Sequence, residues 1–177
     1  MNTDTTWRLS STQRRLALTA HVILSVGWIG VEASLLTLAV LALTTGDEAT
    51  VRAAYRATGL IGGAFIAPAS FGSLLTGVLL SVGTRWGLVR YYWVAVKLVI
   101  GVVLTIGTNA VLATFLRMAA ERAAHLDPLG ELGQRVLDGS VVSTSLLLVA
   151  TVLSIYKPWG RTRYGMRQLT TIKGAAR

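Results

Sequence analysis

Cysteine is absent from this chain, and charge is scarce. With no cysteine, the chain can form no disulfide, thiolate metal site or catalytic thiol. Only 14% of its 177 residues are charged, whereas soluble domains carry about 25%. Hydrophobic residues make up 53% of the sequence, and the mean hydropathy is +0.58. The composition therefore predicts a single membrane domain rather than a soluble protein.

Sequence signatures of common enzymes are missing as well. The chain contains no H-E-x-x-H, G-x-x-x-x-G-K-[ST] or G-x-S-x-G pattern, so it lacks the usual zinc-protease, P-loop and hydrolase sites. A bis-histidine haem needs two histidines at matching depth, but His125 is predicted on the membrane face opposite His21. We predict a non-enzymatic protein without a metal or cofactor.

Four apolar runs are long enough, or nearly so, to cross a bilayer, which takes about 20 helical residues. The second contains Pro68, which usually bends a helix within a bundle. The third is predicted to continue as a helix to His125 and to end before Pro128. We predict an all-α fold, a four-transmembrane-helix bundle with a short extracellular helical hairpin at 117–138 between helices 3 and 4. The predicted spans are 16–43, 58–82, 92–116 and 139–157, followed by a basic tail at 158–177.

Small residues recur at every fourth position along the second span. Gly59, Gly63 and Ala67 form one such row, and Ser73 and Gly77 form another. Rows of this kind let helices approach closely. Both rows therefore predict packing faces.

Basic residues are distributed unevenly over the segment ends. Eleven Lys and Arg fall in the N-terminal arm, the connection between spans 2 and 3, and the tail. The other two connections hold five, together with six acids. The positive-inside rule therefore predicts a multi-pass membrane protein with both termini in the cytoplasm.

A few polar side chains interrupt the apolar spans. On an ideal helix, His21, Trp28 and Glu32 share a face, because seven and eleven residues both rotate by nearly whole turns. The rise of about 16 Å between His21 and Glu32 excludes a shared metal ion. Lys97 lies at a depth like that of His21, where it either extends its ammonium to the lipid headgroups or pairs with groups on helix 1. The candidate polar seam comprises His21, Trp28, Glu32, Lys97, Thr108 and Asn109.

Glu32 is the deepest of these groups and the most costly to bury. The other helices offer hydrogen-bonding side chains at its depth, and a carboxyl bonded to them can stay protonated and neutral because burial disfavours its charge. A proton- or ion-coupled role, or contact with a lipid, quinone or partner helix, is the alternative. The predicted hydrogen-bond partners of Glu32 on the other helices are Ser70, Thr108 or Asn109, and Thr144.

The tail combines basic and aromatic residues directly after the last span. In a soluble protein this pattern suggests nucleic-acid binding. Beside a membrane it predicts contact with anionic lipid of the inner leaflet instead, and we expect no nucleic acid as a partner. The predicted lipid-facing residues are Lys157, Arg161, Arg163 and Arg167.

Three stretches of the chain carry a family resemblance: RRLALTAHVILSVGWIG, RWGLVRYYWVAVKLVI and SIYKPWGRTRYG. Together they resemble an uncharacterised integral-membrane family of high-GC Gram-positive bacteria. The resemblance implies a four-helix plasma-membrane protein and places His21, Trp28, Lys97 and the tail in the family pattern. It implies no activity. Members of the family often carry a further histidine where this chain has Asn109, which weakens a redox role here.

Three functions are compatible with the sequence. The first is a non-enzymatic accessory or scaffold subunit that packs against a membrane-protein partner or a second copy of itself through its Gly/Ser faces. The second is a small proton- or ion-coupled transporter or proton-relay protein that uses the Glu, His and Lys of the polar seam. The third and weakest is a haem or quinone redox subunit.

Overall fold

The computed structural model describes residues 8–84 and 86–166. Within these ranges the chain forms helices and no β-strand, apart from an isolated antiparallel bridge between Tyr91 and Arg161. The predicted all-α class is confirmed. The elements are α1 (Ser11–Thr44), α2 (Glu48–Val82), α3 (Tyr92–Ile106), a π-helix (Gly107–Leu112), α4 (Ala113–His125) and α5 (Glu131–Tyr156).

Capping residues, rather than the limits of the apolar runs, set the first two helix starts. The Ser10 hydroxyl accepts the backbone N–H of Gln13 at 3.3 Å, and the Gln13 side chain accepts the N–H of Ser10 at 3.0 Å, which completes a capping box. The Asp47 carboxylate accepts the N–H of Thr50 at 3.0 Å. The helices therefore begin at 11 and 48, ahead of the predicted spans that start at 16 and 58.

α3, the π-helix and α4 form one continuous helix, Tyr92–His125. The sequence predicted this continuation to His125. The helix ends there because Leu126 adopts a left-handed conformation with φ 64°, two residues before Pro128. The π-helix in its middle has no counterpart in the sequence-based prediction.

The connection between the third and fourth long helices is shorter than expected. The sequence predicted a separate hairpin at 117–138, but only 126–130 lie outside helices. The rest of the segment extends α4 and α5, because its apolar residues at helical spacing pack into the bundle. These buried residues are Ala119, Ala123, Leu132 and Val136.

The buried core consists of two apolar clusters with polar side chains between them. The larger includes Leu35 and Val136, and the smaller is built on Trp28, Leu104 and Leu147. On α1, the third long helix and α5, buried or partly buried polar residues fall between members of the two clusters. We call this set, with Ser70 of α2, the central polar layer: Glu32, Ser70, Thr105, Thr108, Asn109, Ser140, Ser143 and Thr144.

The predicted small-residue rows are packing faces only in part. A Cβ added at Gly59 would lie 2.5 Å from the Cβ of Ala120, whereas one added at Gly63 would meet nothing within 4 Å. Each step of four residues turns about 40° past a full helical turn. The row therefore leaves the face covered by α4, and Ala67 at its end is exposed.

Four helices are long and apolar enough to cross a membrane: Ser11–Thr44, Glu48–Val82, Tyr92–His125 and Glu131–Tyr156. Only 17 to 28% of the residues in their apolar windows are buried inside the bundle. Large apolar side chains such as Leu60 and Ile155 point outward instead. The architecture fits a multi-pass membrane protein.

Three basic segments meet at one end of the bundle. The backbone N–H of Leu9 donates to the carbonyl of Gly83 at 3.1 Å, so the start of α1 lies on the end of α2. The bridge between Tyr91 and Arg161 joins the next connection to the segment after α5. We call this the basic end, formed by 8–15, 83–91 and 157–166 within the described ranges.

Candidate functional site

Glu32 is fully buried in the middle of α1, with an exposure of 0%. Trp28, one turn earlier, donates its indole N–H to Glu32 Oε1 at 3.2 Å. The second carboxyl oxygen, Oε2, has no hydrogen-bond partner. The shared face predicted for Trp28 and Glu32 is therefore confirmed, but half of the carboxyl remains unsatisfied.

Three of the predicted partners of Glu32 bond elsewhere, and the fourth, Thr144, has no hydrogen-bond partner. Asn109 donates to the Ser70 hydroxyl at 2.9 Å and to the carbonyl of Thr105 at 2.8 Å. Thr108 donates to the carbonyl of Leu104 at 2.8 Å. Hydroxyl groups inside helices commonly bond back to the preceding turn. As a result, none of these side chains donates to the carboxyl.

Several hydroxyl groups of the central polar layer also lack partners. Buried unpaired oxygens occur on Thr105, Ser140 and Thr144, in addition to Glu32 Oε2. An unmade hydrogen bond costs each buried group about 1–3 kcal/mol. The layer therefore combines a buried carboxyl with several unpaired hydroxyls between the two apolar clusters.

The π-helix places Asn109 in this layer and is the feature that sequence reasoning missed. Its widened turn is closed by the N–H of Ala113, which bonds to the carbonyl of Thr108. The side-chain amide of Asn109 donates a hydrogen bond to the carbonyl of Thr105. π-Helical turns occur frequently at functional sites, and the only signal in the sequence is a polar Gly-Thr-Asn run inside an apolar span.

His21 lies nearer the basic end and faces α2. Its Nδ1 lies 3.1 Å from the carbonyl oxygen of Ser73 and 3.1 Å from the Thr76 hydroxyl. Because a carbonyl only accepts hydrogen bonds, Nδ1 carries the proton. The Ser25 and Ser73 hydroxyls are 2.8 Å apart. His21, Ser25, Ser73 and Thr76 form a polar row that extends along α1 and α2 toward Trp28.

Lys97 turns toward α5 instead of pairing directly with Glu32. Its ammonium donates to the Ser154 hydroxyl, which itself donates to the carbonyl of Ala150 at 2.8 Å. The structure therefore places a cation and an imidazole in the half of the bundle that contains the polar row.

The basic tail packs on the connection between α2 and α3. Lys157 lies 5.4 Å from the ring centre of Trp86, and the Arg161 guanidinium lies 5.5 Å from that of Tyr91, both within cation–π range. Arg163 is exposed. Arg167 lies outside the described residues. Where the sequence predicted lipid-facing cations, the structure shows two of them against aromatic rings.

The two histidines are far apart in the bundle. His21 contacts α2 at Gly77, whereas Ala120, five residues before His125, contacts α2 at Gly59. The helical rise makes that separation about 27 Å or more, so they cannot ligate one haem. No group of three or more His, Cys, Asp or Glu side chains able to hold a metal occurs in the described part of the chain.

Comparison of the chain with protein-family models, curated proteins and solved structures found no match.

Proposed function

We propose that the chain is an integral protein of a bacterial plasma membrane, with the four long helices as its spans. The outward-facing apolar surface supports this placement, because lipid is the solvent that such a surface requires. The collection of basic segments at one end supports a cytoplasmic position for both termini.

This orientation can be tested directly because the chain has no cysteine of its own. Single-cysteine variants Met166→Cys and Asp127→Cys would be labelled on intact cells with a membrane-impermeant maleimide. We expect Asp127→Cys to react and Met166→Cys to react only after the cells are permeabilised. The reverse pattern would contradict the proposed orientation.

Within the membrane, Glu32 binds and releases a proton, and the protein acts as a small proton-coupled transporter or proton relay. The observation that carries this proposal is the complete burial of Glu32 with an unpaired Oε2. An intramembrane carboxyl is expensive to keep. A purely structural hydrogen bond to Trp28 would be made equally well by an uncharged amide.

The surroundings of Glu32 differ on its two sides. Toward the basic end, the polar row offers hydrogen-bonding groups from His21 to Ser25. Toward the other end, the larger apolar cluster surrounds α1 at Leu35 and Ala39. In this proposal protons reach Glu32 from the cytoplasmic side along the polar row, and release to the other side requires the apolar cluster to open.

The proposal is tested by proton flux into vesicles that contain the purified protein and a trapped pH-sensitive dye. An imposed membrane potential should drive acidification with the wild type and not with Glu32→Gln. Glu121→Gln is the matched control, because Glu121 is exposed on α4. Equal flux from the wild type and Glu32→Gln, with both correctly folded, would exclude the proton relay.

A second candidate function is that of an accessory or scaffold subunit, and three glycines favour it. A Cβ added at Gly27, Gly30 or Gly63 would meet nothing within 4 Å, so no contact with a described residue requires a glycine there. Glycine costs about 1 kcal/mol relative to alanine inside a helix. Membrane helices associate through small residues of this kind.

The scaffold candidate is tested by crosslinking in native membranes. Gly30→Leu on α1 should abolish crosslinks to a partner or a second copy, while Leu60→Ile, a change at an exposed position of α2, should preserve them. Wild-type protein that stays monomeric and recovers no partner would count against this function. Both candidates are non-enzymatic.

A further inference from the structure

A cavity of about 520 Å³ opens at the basic end, between the start of α1 and the end of α2. It lies about 27 Å or more from Glu32 by the helical rise from Arg14 to Glu32, and it plays no part in the proposed proton relay. Two arginines and two hydroxyl residues share its lining with apolar side chains. The lining residues are Arg8, Leu9, Ser11, Arg14, Gly83, Thr84 and Trp86.

The cavity is held in place by a close approach of two segments. The N–H of Leu9 donates to the carbonyl of Gly83 at 3.1 Å. A Cβ at position 83 would lie 2.5 Å from Leu9 Cγ, so glycine is required for this approach. The capping box at Ser10 then fixes the first turn of α1, from which Arg14 extends.

The positive charge of the cavity is not compensated by any described acid. Arg8 and Arg14 make no ion pair with a described residue. The two ion pairs that the structure describes, Arg52–Glu48 and Arg135–Glu131, lie in the first turns of α2 and α5, at the opposite end of the bundle. Apart from Glu32, every acid of the described ranges lies within 47–48 or 121–138, toward that opposite end. An anion entering the cavity would therefore meet two guanidinium groups and no described carboxylate.

We propose that this cavity binds a phosphate group, supplied by an anionic phospholipid headgroup or by free phosphate. Guanidinium groups bind phosphate through paired, charge-assisted hydrogen bonds, and the Ser11 hydroxyl offers a further donor. Leu9 and Trp86 give the cavity an apolar wall that suits the glycerol and upper acyl carbons of a lipid. The choice of a lipid as the source rests on the proposed membrane placement.

The test uses the purified full chain in detergent micelles. Phosphatidylglycerol, phosphatidylcholine and inorganic phosphate are titrated separately, with lipid retention followed by native mass spectrometry and phosphate binding by calorimetry. The variant is the double substitution Arg8→Gln/Arg14→Gln. Arg56→Gln/Arg117→Gln removes the same charge from exposed positions of α2 and α4 and serves as the control.

We expect one retained phosphatidylglycerol, preferred over phosphatidylcholine, with an affinity that falls about tenfold or more in the double variant. The control should stay within about twofold of the wild type, since distant surface charges are screened. Arginine-dependent binding of inorganic phosphate without a preference for phosphatidylglycerol would support the phosphate site and identify free phosphate as its source.

The proposal would be overturned if the correctly folded double variant retained phosphatidylglycerol as well as the wild type does. It would also be overturned if the wild type bound neither phosphatidylglycerol nor inorganic phosphate. Thermal unfolding establishes whether each variant is folded. Micelles do not separate two aqueous compartments, so the test does not depend on the orientation of the protein or on proton flux, and Glu32 is unchanged in every variant. A negative result would therefore leave the proton relay and the orientation untouched, and failure of either of those would leave this result untouched.

Discussion

Replacing Glu32 by glutamine, alanine or leucine distinguishes a buried carboxyl that is protonated and neutral from one that is ionised. Glutamine has the same shape, and its carbonyl can still accept the indole N–H of Trp28, now at 3.2 Å. Its amide N–H₂ would stand where Oε2 has no partner and could donate to an unpaired hydroxyl. If the wild-type carboxyl is protonated, we expect Glu32→Gln to change the free energy of unfolding by less than about 1 kcal/mol.

Alanine removes the same group without a substitute. The site has an exposure of 0%, so the deleted atoms leave a cavity that costs about 2–4 kcal/mol. The Trp28 indole N–H also loses its partner, which adds about 1–3 kcal/mol. The same structural relaxation around position 32 reduces both the cavity cost and the cost of the unpaired N–H, so the two costs do not add fully. We expect a total of about 3–5 kcal/mol for Glu32→Ala.

A double substitution tests the Trp28 hydrogen bond itself. Glu32→Leu leaves the indole N–H unpaired, and Trp28→Phe leaves the carboxyl unpaired, so each should cost about 1–3 kcal/mol. The double variant Trp28→Phe/Glu32→Leu removes both polar partners and should cost less than the sum of the single changes.

The assay is unfolding of the purified protein in mixed micelles as the denaturing detergent increases, followed by circular dichroism. All variants are compared at one pH and one lipid content. The reasoning is refuted if Glu32→Gln destabilises the bundle as much as Glu32→Ala, because the wild type would then depend on a buried carboxylate and a counter-charge.

Three further perturbations have expected outcomes that are read by thermal unfolding. Gly59→Ala should destabilise the bundle by about 1–3 kcal/mol, because its Cβ would lie 2.5 Å from that of Ala120. Gly63→Ala, which has open space around it, should be neutral or stabilising by up to about 1 kcal/mol. Equal effects of the two changes would contradict the packing of α2 on α4. Asn109→Ala should cost about 1–3 kcal/mol through the lost hydrogen bonds to Ser70 and Thr105, and an unchanged unfolding midpoint would show that these bonds contribute nothing. Hydrogen bonds from Thr50 and Ala49 lower the pKa of Asp47 below its ordinary 3.8. The ionised carboxylate therefore contributes to the folding stability above its unfolded-state pKa, and this contribution is lost as the pH falls through the lower folded-state pKa. Asp47→Ala should remove this pH-dependent part of the stability, and an identical dependence of stability on pH in the variant and the wild type would refute the prediction.

The sequence predicted the helices well and their ends less well. Runs of apolar residues identify the long helices, because a helix satisfies its own backbone hydrogen bonds and needs no distant partner. The starts at 11 and 48 depend on the caps at Ser10 and Asp47, which are visible in the sequence but carry less weight than hydropathy. The π-helix at Gly107–Leu112 leaves no comparable pattern.

The polar contacts were the least predictable part of the candidate site. The shared face of Trp28 and Glu32 follows from helical spacing alone, and the structure confirms it. The pairing of Asn109 with Ser70 and of Lys97 with Ser154 depends on which helices are neighbours and how far each slides along the other. The spacing within one helix carries no information on either quantity.

The sequence by itself determined that the protein is an all-α bundle and that Trp28 and Glu32 share a face of α1. Composition, run length and helical period are local properties, and they suffice to predict an all-α bundle with Glu32 inside it. Only the tertiary structure decided that Oε2 of Glu32 is left unpaired, that the tail packs on Trp86 and Tyr91, and that Arg8 and Arg14 line one cavity. Each of these depends on contacts between segments distant in sequence, which are fixed by the packing of whole helix faces rather than by any local pattern.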